Sequence, residues 1–194
     1  MVSLGGFFLT DFIQSISSLL ASLRKGSEVP IKDWPSEAPF SPSDMGLLEK
    51  AGKLTLPKSI EFIETELIEK QIPELKCQKF EVVGSTNSMM LEAAKHSNIH
   101  EHLYLAEFQY GGRGRRGRHW YSPYGRNLAA SYGIQTKLSQ NAIGCMSLVV
   151  GLAIADELSS MGLKAVEIKW PNDILIAKKK LAGILVELVD KDSF

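Results

Sequence analysis

Apolar residues recur at helical spacing over residues 9–24, where Leu9, Phe12, Ile13, Ile16, Leu19, Leu20 and Leu23 follow the i, i+3, i+4 template and predict a helix. The pattern dissolves into SEVPIKDWPSEAPFSPSD, where Pro30, Pro35, Pro39 and Pro42 mark a loop or linker. A second helix is expected over 58–70, carried by Ile60, Ile63, Leu67 and Ile68. No basic, small-residue recognition helix accompanies either one, so this part of the chain does not read as a helix-turn-helix.

Beyond residue 78 the apolar runs shorten to strand length. KFEVV (79–83) predicts a first strand, and GSTN (84–87) follows it, with Ser85 or Thr86 placed to cap a helix reaching about Lys95. EHLYLAEFQ (101–109) and NLAASYGIQ (127–135) predict the second and third strands. A long helix is expected over 139–161, with Ile143, Met146, Val150, Ile154, Leu158 and Met161 down one face. AVEIKW (165–170), DILIA (173–177) and KLAGILVELV (180–189) complete the strands, the last two as a hairpin closed by the lysine run 178–180. The expected fold class is α+β: a mixed β-sheet, read as one sheet, with helices packed on it.

Composition narrows this only modestly. The 194 residues suffice for one well-buried domain and a small extra segment, and 44% apolar with 23% charged residues is ordinary for a globular protein. Lys+Arg and Asp+Glu balance at 22 each, which speaks against a general nucleic-acid or membrane-binding surface. Cys77 and Cys145 are too few and too far apart for a disulfide framework or a zinc site and fit a reducing, cytoplasmic setting. In the apolar N-terminus the first positive charge is Arg24, the reverse of a signal peptide, and no run has the length of a membrane span.

Against that neutral background, GGRGRRGRHW (111–120) concentrates charge. Between Gln109 and Arg126 stand Arg113, Arg115, Arg116, Arg118 and Arg126, with no acid among them. Arginine presents a planar fork of donors that matches phosphate or carboxylate oxygens in pairs, and the glycines let backbone approach a ligand. The spacing is neither a Walker loop nor a dinucleotide fingerprint. A solvated or nucleic-acid-binding arginine–glycine surface is the bland alternative, but the position between two predicted strands favours a folded phosphate loop. Trp120 is a candidate base-stacking platform or ordinary core. Ser85, Thr86 and Asn87 supply polar groups beyond what one cap needs. Lys169, Asn172 and Asp173 of KWPND form either a site wall or a plain Asn-Asp turn, and Lys180 reads as a hairpin-tip lysine.

In this order, GSTN, EFQYGGRGRRGRHWYSP, IKWPNDIL and KLAGILVEL resemble the catalytic domain of biotin–protein ligases over roughly residues 80–190. The resemblance implies the biotin–lipoate ligase catalytic fold, akin to class II aminoacyl-tRNA synthetases. It implies biotin and ATP as substrates with Mg²⁺, biotinyl-5′-AMP as intermediate, and transfer to a lysine of the biotin carboxyl-carrier domain of acetyl-CoA carboxylase. Ser85, Thr86, Asn87 and Gln109 would meet the biotin ureido group. Arg113, Gly114 and Arg115 would wrap the carboxylate and phosphate, with Arg115 and Lys180 as the catalytic pair. Trp120 would pack on adenine, Asn172 and Asp173 would line the nucleotide site, and Gly183 would allow close approach of backbone. No protein metal ligands are implied. Residues 1–57 would be a helical linker segment standing where some members carry a winged helix, and 58–194 a catalytic domain incomplete at its C-terminus. The expected partners are the carrier domain and, as an assembly, a homodimer, without DNA or membrane. Lipoate ligation, and a module that binds biotin or its adenylate without turnover, are the alternatives.

Overall fold

The computed structural model describes residues 5–57 and 60–189. It forms two units: one holds the described residues up to Arg113 together with His119–Ile134, the other Gly114–Arg118 and the described residues from Gln135 onward.

The first unit begins with helix α1 (Gly5–Arg24). Phe12, Ile16, Leu20 and Leu23 on its inner face are buried, as the periodicity predicts, each contributing about 1.5–3 kcal/mol. The side chain of Leu9 lies outside the described residues. Short strands follow: β1 (Val29–Pro30), β2 (Leu48–Lys50) and β3 (Lys53–Thr55). They form an antiparallel sheet in the order β1-β3-β2, with Leu54 opposite Val29 on one side and Glu49 on the other. Leu54 is fully buried in a core shared by α1, Val29, Phe40, Met45 and Leu47 with Val82, Phe108 and Tyr124 from further along the chain. The proline-rich stretch stays largely irregular, as expected, with a single 3₁₀ turn at Ile31–Asp33.

The helix expected over 58–70 is shorter: α2 spans Thr65–Gln71 and buries none of its residues, and positions 58 and 59 lie outside the described residues. The stretch from Ile60 to Glu64 is drawn off the helix by tertiary bonds. The Ile63 N–H donates to Glu107 Oε1 at 2.9 Å, and Lys79 Nζ donates to the Ile63 carbonyl at 2.6 Å. Local propensity yields to a buried carboxylate that needs a donor.

Strand β4 (Lys76–Val83), helix α3 (Thr86–His96) and strand β5 (His102–Gln109) make a β-α-β unit with parallel strands, registered from Lys76 opposite His102 to Val83 opposite Gln109. Strand β6 (Ala129–Tyr132) pairs antiparallel on the other side of β5, which is therefore central and buried continuously from Tyr104 to Phe108. β6 is shorter than the predicted 127–135. It gives way at Gly133, where a Cβ would stand 2.2 Å from the Ile99 carbonyl oxygen, so only glycine fits.

In the second unit the expected 139–161 helix is two helices, α4 (Gln140–Gly144) and α5 (Met146–Ser160), meeting at Cys145. Ser139 caps the first by accepting from the Ala142 N–H. α5 lies against strand β7 (Val166–Lys169), which continues through β8 (Asp173–Ile176) and β9 (Lys179–Gly183) as an antiparallel meander. The β8–β9 turn is Ala177-Lys178, both at positive φ, as a two-residue hairpin requires. Of the lysine run only Lys178 thus sits in the turn, and Lys179 and Lys180 lie on β9. The described strands fall into three three-stranded sheets, not the single sheet expected, because the strands β1–β3 carry too few residues to show a period in the sequence and β7–β9 bond among themselves. Among the described residues no helix is long and apolar enough to cross a membrane.

Candidate active site

In the first unit, the end of β4 and the end of β5 lie side by side, and the register sets Gln109 next to the turn that opens α3. Ser85 caps α3, its Oγ accepting from the Ser88 N–H at 3.4 Å. Gln109 Oε1 accepts from both the N–H (2.8 Å) and the hydroxyl (3.1 Å) of Thr86. The Thr86 hydroxyl in turn accepts from Ser131 Oγ on β6 at 2.8 Å. Ser85 and Thr86 are buried, and Asn87 is half-buried beside them. A continuous polar chain, Ser131–Thr86–Gln109, therefore links β6 to the end of β5 through the first turn of α3. Such a chain is suited to matching the donor–acceptor pattern of a neutral polar ligand.

The arginine–glycine loop leaves β5 through Tyr110. Its stem is closed by backbone bonds: Gly111 N–H to the Gly84 carbonyl (2.8 Å), Trp120 N–H to the Gly112 carbonyl (2.9 Å), and a bridge between Arg113 and His119. At Gly112 a Cβ would stand 2.9 Å from the Trp120 carbonyl oxygen, so the glycine lets the two stems touch. Arg113 Nη2 donates to Ser88 Oγ at 3.2 Å, reaching the first turn of α3, and Trp120 is half-buried.

In the second unit, Arg115–Gly117 form a single 3₁₀ turn with Arg116 at φ 61°, closed by Gly114 N–H to the Arg118 carbonyl at 2.7 Å. Arg115 Nη1 donates to Asn172 Oδ1 (3.1 Å), and Asn172 Nδ2 donates to the Ile184 carbonyl (3.1 Å). Asn172 follows the cis Trp170–Pro171 peptide and directly precedes β8. Asp173 Oδ1 lies 2.7 Å from Lys180 Nζ, and register sets Asp173 opposite Gly183. The unit thus assembles Arg115, Asn172, Asp173, Lys180 and Gly183: two cations, one amide and one carboxylate, with a glycine on the adjoining strand. This set can neutralise a phosphate and a carboxylate.

The structure therefore brings Ser85, Thr86, Asn87, Gln109 and Arg113 into one cluster in the first unit, with Trp120 at the loop stem, and Gly114, Arg115, Asn172, Asp173, Lys180 and Gly183 into another in the second. Sequence reasoning missed Ser88 and Ser131. Ser131 sits in an unremarkable NLAASYG run, and only its pairing partner gives it a role; the sole signal for Ser88 was its place one residue after GSTN.

Residues 79–193 match the biotin/lipoate A/B protein ligase family, well over half of the chain, and the chain belongs to that family. It is 39% identical over 140 residues to the bifunctional ligase/repressor BirA of Salmonella typhimurium, covering 71% of this chain and 42% of that protein. It is 38% identical over 110 residues to the biotin–[acetyl-CoA-carboxylase] ligase of Mycobacterium tuberculosis, covering 54% and 41%. Among solved structures, it is similar to the biotin protein ligase of Aquifex aeolicus in complex with biotin and ATP (TM-score 0.51, 32% identity, 60% of this chain and 48% of that one). It is also similar to the Leishmania major biotin protein ligase in complex with biotinyl-5-AMP (TM-score 0.52, 28% identity, 60% and 53%). The fold is that of the biotin/lipoate ligase catalytic domain. The chain spans about two fifths of the length of these curated relatives, 42% and 41%.

Proposed function

We propose that this chain carries the chemistry of a biotin–protein ligase: it joins biotin to ATP as biotinyl-5′-AMP and passes the biotinyl group to a lysine of a biotin carboxyl-carrier domain. The observation that carries this reading is that the family match, residues 79–193, encloses every residue of both polar clusters. In the first step a biotin carboxylate oxygen attacks the α-phosphorus of ATP and pyrophosphate leaves. In the second the carrier lysine amine attacks the acyl carbon and AMP leaves. Neither step needs a covalent bond to the enzyme, so the protein acts by positioning and by neutralising charge.

Ser85, Thr86, Asn87 and Gln109 hold the ureido group, with Ser131 fixing the Thr86 hydroxyl. Arg113, Gly114 and Arg115 wrap the carboxylate and the phosphate, and Arg115 retains the adenylate. Lys180 neutralises the carboxylate and the α-phosphate as they join. Trp120 packs on adenine, Asn172 and Asp173 line the nucleotide site, and Gly183 lets backbone close on the ligand. Mg²⁺, when bound, offsets phosphate charge. Such an ion is held by one or two carboxylates plus the phosphates themselves, and Asp173 is the carboxylate this set provides.

The test is to mix the purified chain with biotin, MgATP and an apo carboxyl-carrier domain and to follow pyrophosphate and carrier mass. Pyrophosphate with one biotinylated lysine supports the reading. Biotin binding without either product leaves a module that binds without turnover, and a product formed with lipoate instead of biotin makes the chain a lipoate ligase.

A further inference from the structure

A second polar cluster in the first unit belongs to none of the ligand-binding roles above. Arg24, the last residue of α1, extends its guanidinium among Glu81 of β4, Glu107 of β5 and Tyr124, just past the arginine–glycine loop. Its Nε donates to Tyr124 Oη at 2.5 Å and its Nη2 to Glu81 Oε2 at 2.8 Å, with Glu107 Oε1 at 3.6 Å. The Tyr124 hydroxyl donates to the other Glu81 oxygen. Phe62 stacks beneath the guanidinium, 3.7 Å from its carbon. Tyr124 and Glu107 are each 1% exposed. Burial pushes the Tyr124 phenol above the usual tyrosine range, so it keeps the proton it donates.

We propose that Arg24 is a positioning residue for the arginine–glycine loop: from the end of α1 it holds Tyr124, and through Tyr124 it fixes the outgoing stem of the loop. The rest of the stem agrees. Tyr124 N–H donates to the Met45 carbonyl, and Gly125 N–H to that of Glu107, both at 3.0 Å. The incoming stem is anchored to the same N-terminal region by another residue, since the Tyr110 ring stacks on Phe40 at 5.4 Å. Both ends of the loop are thus tied to residues before 57. A lysine cannot do the work of Arg24, because two donors of one rigid fork serve Tyr124 and Glu81 at once.

The proposal rests on reading the loop as a ligand clamp, and the experiment separates the two. Tyr124→Phe deletes only the bridging hydroxyl and leaves the ring packed, so it folds even where Arg24 variants do not. Trypsin cleaves after arginine, and the loop offers Arg113, Arg115, Arg116 and Arg118. In the folded chain of residues 1–194, Tyr124→Phe and Arg24→Lys are expected to speed cleavage at 113–118 about tenfold, the factor a hydrogen bond to a charged group is worth. Cleavage at Lys50 and Lys53, on the β2–β3 hairpin, which makes no bond to Arg24 or to the Tyr124 hydroxyl, stays at the wild-type rate. Synthetic biotinyl-5′-AMP leaves Tyr124→Phe about tenfold faster, while biotin affinity stays within about twofold. Wild-type cleavage rates in Tyr124→Phe, rescue by Arg24→Lys, or unchanged adenylate release from a loosened loop would each overturn the proposal. Wild-type chain that binds neither biotin nor adenylate overturns the ligase reading instead, while the trypsin rates still decide whether Arg24 anchors the loop.

Discussion

The Thr86 hydroxyl does two jobs at once, accepting from Ser131 and donating to Gln109. Removing Ser131 Oγ leaves the Thr86 oxygen short of a donor and free to rotate. Ser131→Ala is therefore expected to weaken biotin binding about fivefold, roughly 1 kcal/mol, measured by calorimetric titration, with the helix and strand content unchanged. Lys180 presents the opposite case. Its ammonium lies 2.7 Å from Asp173, and in the proposed reaction its charge would count most as phosphate and carboxylate meet. Lys180→Ala should slow pyrophosphate release by a larger factor than it raises the biotin dissociation constant, and equal losses would reduce the lysine to a binding contact. At this scale the candidate residues were legible in the sequence because they are types that have few other reasons to cluster: arginines among glycines, and SxN-like polar triplets at a strand end. Ser131 and Arg24 were not legible. Each is an ordinary residue whose role comes from a partner at least 45 positions away.

Among the elements, β5 governs most. It is the central strand, delivers Gln109 to the site, and carries Glu107 into the core. Burial pushes the Glu107 carboxyl above its ordinary range, against the pull of the Ile63 N–H, Arg24 and Lys79. A carboxyl raised on folding stabilises fully below its unfolded pKa, and that contribution fades as pH rises through the folded value. Relative to Glu107→Gln, the native chain should accordingly be more stable at pH 4 than at pH 7, and thermal melts of the two at both pH values measure the difference. The same carboxylate explains why the expected helix does not run through Ile60–Glu64. Ile60, Ile63 and Leu67 have helical spacing, but Glu107 captured the Ile63 N–H. Helix α3 and strands β4 and β5 follow their patterns closely because their signals are local: a capping serine, a long apolar run, a glycine at the turn. Strands of two or three residues, such as β1 and β3, carry no period to read. Gly133→Ala tests how tightly β6 ends, since its methyl would meet the Ile99 carbonyl. It is expected to cost about 1–3 kcal/mol in a denaturant titration.

For the whole molecule, polarity is unevenly distributed. Helix α5 is apolar nearly all round, and Val149 and Leu152 on it are 58% and 54% exposed. Contiguous apolar surface of this kind promotes self-association. Val149→Glu with Leu152→Lys should change unfolding free energy by less than about 0.5 kcal/mol, because neither side chain is buried, while lowering the apparent mass in concentrated solution by sedimentation. The N-terminal region shows the contrary arrangement, with little left over. Phe12, Phe40 and Phe108 form a chain of edge-on rings that begins in α1 and ends in the strand bearing Gln109. A boundary drawn at a loop in the sequence need not be a boundary in the material. Cutting the chain before residue 58 would not release an intact smaller unit. It would strip the lining from Val82, Phe108 and Tyr124 and strand two carboxylates, Glu81 and Glu107, beside a missing guanidinium. Residues 12–54 therefore cannot be exchanged like a detachable module, because variation there is constrained by the same core that holds β4 and β5.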